Sequence, residues 1–439
     1  MIRRALNRNF TVIPAQQNDR WKSTRVLVAH RPRRDTPRVV RLGAMKPNKL
    51  TMDVTVNHCV RTLLIGLALT GCGGGGETVT GTDTFTFSTI SAGNAVSCGV
   101  TIGGSGYCWG NNTAGELGNG TTTSSAKAVA SSSGLLSFGA VSVGNSLDRV
   151  DQHSCGLTTG GRVYCWGYNN FGEIGDGTKN NSLVPVQASV AVTFSAVRVG
   201  GAHTCGMTTD GVYCWGDNTY GELGIGSHNP SLTPVPINGG LSFILIQAGN
   251  NFSCAITAGA AAYCWGLNSS GQLGNGLTSD SNTPGPVTGN IAFVSISTGG
   301  AHTCGIAPSG TAYCWGNDGS GQLGDGKTAM SLIPTAVSTA LKFTALSAGS
   351  YHTCALTSTG AAYCWGKNQT GQLGNGTLAD SGTPVPVSGG LTFAVVSAGN
   401  DHTCGVTPAG VAYCWGLNSS GQLGDGTHNN SSVPVPVSQ

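Results

Sequence analysis

The tetrapeptide Tyr-Cys-Trp-Gly occurs seven times in this chain, and its near-constant spacing limits the possible folds more than any other feature. Its tryptophans are Trp109, Trp166, Trp215, Trp265, Trp315, Trp365 and Trp415, so successive copies lie 57, 49, 50, 50, 50 and 50 residues apart. Only Trp21 stands outside the series. A longer phrase surrounds each copy, most cleanly from Phe343 to Gly376, and a segment resembling Pro-Val-Pro-Val usually follows.

Alternation and turn residues predict four short strands per repeat. In the cleanest copy these are Phe343 to Ala348, His352 to Thr357, Ala361 to Trp365 and the proline-containing segment, with Ser358-Thr359-Gly360 as a hairpin turn. Proline has no N–H to give to a ladder, so the fourth strand belongs at a sheet edge. One such sheet cannot hide both faces, and the copies must stack around an axis. Seven copies predict an all-β chain, a seven-bladed β-propeller of four-stranded antiparallel blades. The strand near Phe85-Thr86-Phe87 and the final strand, Val433 to Val437, are expected to pair in one shared blade, which would close the ring and protect two edges.

Composition agrees once the chain is divided at Cys72. Glycine, at 70 of 439 residues, marks turns at fixed repeat offsets, with no collagen-like period. Of the 22 Lys and Arg, fourteen precede Cys72, whereas only three of the 19 Asp and Glu do. Residues 72–439 therefore carry a net charge of −8. Such a surface repels phosphate backbones, which makes nucleic acid a poor partner.

The segment before the repeats reads as an export signal. Arg61 precedes an apolar run, Thr62 to Gly71, that is too short to span a bilayer needing about 20 residues. Leu69-Thr70-Gly71-Cys72 resembles the lipobox of bacterial lipoproteins, which implies cleavage before Cys72 and a lipid on its thiol. A plain secretory signal is the simpler alternative. The expected organisation is a disordered or mis-assigned start (1–44), a lipoprotein-type signal peptide (45–71), a flexible Gly-rich tether (72–83) and the propeller (84–439).

Sixteen cysteines are present: Cys59, Cys72 and fourteen in the repeats. The fourteen form seven pairs: Cys98 with Cys108, Cys155 with Cys165, Cys205 with Cys214, Cys254 with Cys264, Cys304 with Cys314, Cys354 with Cys364, and Cys404 with Cys414. Each pair flanks the same hairpin turn. Directly opposed antiparallel residues have Cα atoms about 4.5–5.5 Å apart, within disulfide range. One disulfide per blade is expected, as suits an exported protein; reduced cysteines packed as small apolar residues are the alternative. No short Cys-x₂₋₄-Cys half-site points to structural zinc.

The phrase H-T-C-A-L-T-x-x-G-x-x-Y-C-W-G-x-N-x-x-G-Q-L-G-x-G is similar to the repeat of the regulator of chromosome condensation family, over about residues 84–439. That resemblance implies a seven-bladed propeller and protein binding through loops on one face. The family includes a chromatin-bound guanine nucleotide exchange factor, multidomain scaffolds and a secreted bacterial inhibitor of β-lactamases. The acidic repeats, the lack of room for a wedge-like insertion in later blades and the export signal all argue against exchange activity here.

Residues that keep the sevenfold pattern read as frame. His153, His203, His302, His352 and His402 stand two positions before the first Cys of five repeats, but Val96 and Phe252 take that place in the others, so packing explains the position better than metal binding. Binding is expected where the pattern breaks. Between Gly144 and Cys155 extra residues carry Asp148, Arg149 and Asp151. The Gln of Gly-Gln-Leu-Gly is Glu116, Glu173 and Glu222 in the first three blades, which suggests an acidic, partner-binding sector. No catalytic set, cofactor loop or metal site stands out. The expected function is a non-catalytic, monomeric, extracytoplasmic scaffold, lipid-anchored or secreted, binding an unidentified protein or a glycan. The alternative is an exported hydrolase or lyase acting on polysaccharide.

Overall fold

The structure, a computed structural model, describes residues 85–131, 136–146 and 152–439. The expectations for 1–44, 45–71 and 72–83, including lipidation of Cys72, lie outside the described residues, as do Asp148, Arg149 and Asp151. Thr80–Gln439 forms one compact unit. Its described residues make 28 strands in seven four-stranded antiparallel sheets and no helix.

Each sheet is built from consecutive strands. In blade 6 these are Phe343–Ala348, His352–Thr357, Ala362–Gly366 and Ser381–Pro386, within one residue of the sequence reading for the first three. The first strands of the blades line a central channel. The proline-bearing fourth strands stand at the outer edge, where a missing N–H costs no ladder bond.

Strand exchange does not close the ring. The first strand of blade 1, Phe87–Ala92, pairs only within its own blade, and the final strand, Ser431–Pro436, pairs with the preceding strand through Tyr413 and Pro436. Each repeat begins with its innermost strand and ends with its outermost, so neither terminal strand is an orphan. Contacts that also join other neighbouring blades close the ring instead. The Trp109 indole N–H donates to the Gln422 carbonyl (2.9 Å), the Ala92 N–H to Ser397 Oγ (2.9 Å), and the Asn400 N–H to the Gly93 carbonyl (2.9 Å).

The hydrophobic core lies between blades. One cluster joins Cys304, Ile306, Cys314 and Leu323 of blade 5 to Phe343, Ala355 and Trp365 of blade 6, and an equivalent cluster spans blades 7 and 1. The seven repeat tryptophans are fully buried. Glycine is required beside them: Gly374 has φ +67°, and a Cβ there would sit 2.6 Å from the Trp415 indole nitrogen.

All seven expected cysteine pairs are disulfides. Cys98 is bonded to Cys108, Cys155 to Cys165, Cys205 to Cys214 and Cys254 to Cys264. Cys304 is bonded to Cys314, Cys354 to Cys364 and Cys404 to Cys414. In every blade the two cysteines are directly opposed across the second and third strands. Their Cα atoms are 4.0–4.1 Å apart, which corrects the wider separation expected for directly opposed residues. In the chain-entropy model, closing so short a loop stabilises each hairpin by about 2–3 kcal/mol.

Candidate functional site

Two layers of repeat chemistry surround the channel, and the departures from them define the candidate site. The outer layer holds the blades together. In five interfaces a histidine of one blade meets a Ser or Thr of the next: His153–Thr204 (2.7 Å), His203–Ser253 (2.9 Å), His302–Thr353 (2.9 Å), His352–Thr403 (2.8 Å) and His402–Ser97 (2.8 Å). Each of those hydroxyls donates its one proton to a backbone carbonyl, as Thr403 does to Gln372 (2.9 Å), so the imidazole Nε2–H must be the donor. Nδ1 then carries a buried lone pair, and in His203, His302, His352 and His402 it has no partner. Burial pushes the pKa of His153, His302, His352 and His402 down to about 3 and that of His203 to about 4. These rings are neutral packing elements.

Glu116, Glu173 and Glu222 belong to the same layer, which corrects the expectation of an exposed acidic sector. All three are buried. Glu222 Oε2 accepts the Tyr220 N–H (2.8 Å), as Gln272 Oε1 accepts the Ser270 N–H (2.9 Å) in the next blade. Glu116 and Glu173 make the equivalent bonds to Ala114 and Phe171. A glutamate oxygen replaces an amide oxygen in a turn, and the carboxyl never reaches the surface. Burial, with the neighbouring Asp217, raises the Glu222 pKa to about 8, so it is predominantly protonated at neutral pH and closely mimics Gln.

The inner layer lines the channel, which encloses about 330 Å³. Near the end of each first strand one side chain faces inward: Ser91, Ser142, Arg198, Gln247, Ser297, Ser347 and Ser397. Every serine accepts a backbone N–H from the next blade at 2.9–3.0 Å, from Val143, Val199, Ala348, Ala398 and, across the seam, Ala92. Arg198 and Gln247 interrupt this ring. Arg198 donates to its neighbour's carbonyl, Val197 O (2.9 Å), and pairs with no carboxylate among the described residues. Burial lowers its pKa from the ordinary value. Sequence reading misses this residue, although aligning the seven copies shows one arginine in a serine slot.

The third departure is at the channel mouth. The extra residues of blade 2 begin at Asn145, which lines the channel and accepts a 2.9 Å hydrogen bond from Ser350 Oγ of blade 6. Blades 2 and 6 are not neighbours, so this bond spans the mouth. Beside it, Asn400 Nδ2 donates to Asn94 Oδ1 (2.9 Å). The one long insertion in the repeat series therefore starts over the channel. Among the described residues no group of three or more His, Cys, Asp or Glu side chains forms a metal site, and no helix is long and apolar enough to cross a membrane.

Seven stapled blades around a polar channel define a propeller of the chromosome-condensation-regulator type. The chain belongs to the RCC1-like domain family, whose model matches residues 151–439. Its sequence is 38% identical over 63 residues to the ultraviolet-B receptor UVR8 of Arabidopsis thaliana, a match spanning 14% of this chain and 14% of the receptor. Among solved structures it is similar to Prp20p from Saccharomyces cerevisiae, at 19% identity and a TM-score of 0.68 over 81% of this chain and 88% of that one. It is also similar to human WBSCR16, at 18% identity and a TM-score of 0.67 over 76% of this chain and 93% of that one. At these identities the structural likeness establishes the fold.

Proposed function

We propose that this chain is an extracytoplasmic, non-catalytic protein-binding propeller, either anchored by lipid on Cys72 or secreted, and that it binds its partner at the channel mouth bearing the blade 2 insertion. The observation that supports this reading is the Asn145–Ser350 bond across the channel mouth, because Asn145 is the residue at which the long insertion in the repeat series begins. Loops that escape a rigid repeating frame are where such frames carry specificity. Asp148, Arg149 and Asp151 are assigned to partner contact on that basis.

Two further facts support the reading. Seven disulfides suit an oxidising compartment. The partners described for the similar yeast propeller are proteins: Gsp1p and histones in one structural study, and Kap60 in a crystallised complex. The partner of this chain is expected to differ, given its acidic repeats.

Affinity capture from envelope extracts tests the proposal, with the protein compared to a variant carrying Asp148→Ala, Arg149→Ala and Asp151→Ala. A protein retained by the native chain and lost with the variant is the expected result. Equal capture by both would remove the mouth from the interface. Membrane association that survives Cys72→Ser would overturn the anchor.

A further inference from the structure

The interruption of the serine ring has a chemical meaning of its own. Five blades present a serine hydroxyl to the backbone N–H of the next blade, but blades 3 and 4 present Arg198 and Gln247 to the corresponding N–H groups of Ala248 and Thr298. A guanidinium has no acceptor atom, so it cannot satisfy Ala248. The Thr298 hydroxyl is also buried and without a partner. One sector of the channel therefore gathers a guanidinium, the Ala248 N–H that it cannot satisfy and the unpartnered Thr298 hydroxyl, with no carboxylate among the described residues paired to the arginine. Donors without acceptors around such a space make an anion site.

We propose that this sector binds a small free monocarboxylate, held by Arg198 with Thr298 and Gln247 beside it. The planar guanidinium fork matches a carboxylate in two parallel hydrogen bonds. A single cation with neutral donors balances a single negative charge. Size is set by the cavity of about 330 Å³ and by the mouth, which the Asn145–Ser350 bond crosses. An acid of a few heavy atoms fits a space of this volume. The site lies behind the mouth assigned above to the partner, and its test does not depend on that assignment.

Arg198→Ser is the informative variant, because serine is the residue found in five of the seven equivalent slots and restores an acceptor for Ala248. It is expected to fold and to be at least as stable as the native chain. The probe is acetate, followed by saturation transfer to its methyl protons and by the shift it causes in the urea midpoint, against sodium chloride at equal ionic strength. Acetate should bind the native chain, with affinity falling about tenfold or more in Arg198→Ser and by less in Arg198→Lys, which keeps the charge but loses the fork. A capped peptide bearing an Asp side chain should not compete. No acetate signal with the native chain, equal signals with native and Arg198→Ser, or binding of the peptide but not of acetate would each overturn the proposal.

Discussion

The indole N–H of Trp109 in the first blade donates to the backbone carbonyl of Gln422 in the last, at 2.9 Å, as Trp365 does to Gln322 between blades 5 and 6. The seam where the chain ends meet thus uses the same tryptophan bond as an internal interface, and adds a backbone bridge between Lys127 and Asp425. Trp109→Phe and Trp365→Phe should therefore destabilise the protein by similar amounts, about 2–4 kcal/mol from a buried carbonyl left without its donor and from the lost volume. Urea denaturation of the two variants checks this. A far larger loss at Trp109 would show that the seam is a special closure.

His352 supplies a pH test. With its folded pKa near 3 and an unfolded value near 6.5, the unfolded chain takes up a proton first, so stability is complete above about pH 6.5 and falls as pH drops towards 3. Each such histidine contributes a slope of up to about 1.4 kcal/mol per pH unit. His352→Phe, which copies Phe252 of blade 4, should fold and show a shallower loss between pH 6.5 and 4. An unchanged slope would mean that the ring is not held neutral.

The sign is opposite for Glu222. Its folded pKa of about 8 lies above the ordinary 4.5, so its contribution is complete below pH 4.5 and is lost as pH rises through 8. Glu222→Gln, which copies blades 4 to 7, should raise the melting temperature at pH 8 and change it little at pH 4. Thermal melts at both values decide it.

Blade 5 carries the clearest local conflict. Six blades place an Asn where Asp318 stands, and the amide of Asn268 shows its use: Oδ1 accepts the Leu273 N–H (3.0 Å) while Nδ2 donates to the carbonyls of Leu277 and Ser279 (3.0 Å each). Asp318 Oδ1 accepts the Leu323 N–H, but its buried Oδ2 has no partner, and burial raises its pKa to about 6. Asp318→Asn should stabilise the protein by about 1–3 kcal/mol at pH 7, and by less at pH 4, in urea titrations at the two values.

Much of this is legible in sequence because the repeat exposes it. The period sets the blade count, the alternation around Ser358-Thr359-Gly360 places three strands to within a residue, and opposed positions pair Cys354 with Cys364. What sequence misses shares a cause. Formal charge makes Glu222 look like a surface acid, although its slot asks only for an oxygen that accepts one N–H. The chain ends look like orphans because the phase of the repeat, innermost strand first, follows from how first strands line the channel and not from local pattern. Arg198 stays hidden because its meaning lies in the N–H groups that five serines satisfy and it does not.

Thiol labelling of the protein isolated from the cells that make it tests most directly whether the seven blades are stapled by disulfides, as maturation in an oxidising compartment requires. Denatured under non-reducing conditions, none of the fourteen repeat cysteines should take up an alkylating reagent, and all fourteen should do so after reduction. Labelling of those cysteines before reduction would contradict the staples and, with them, the compartment.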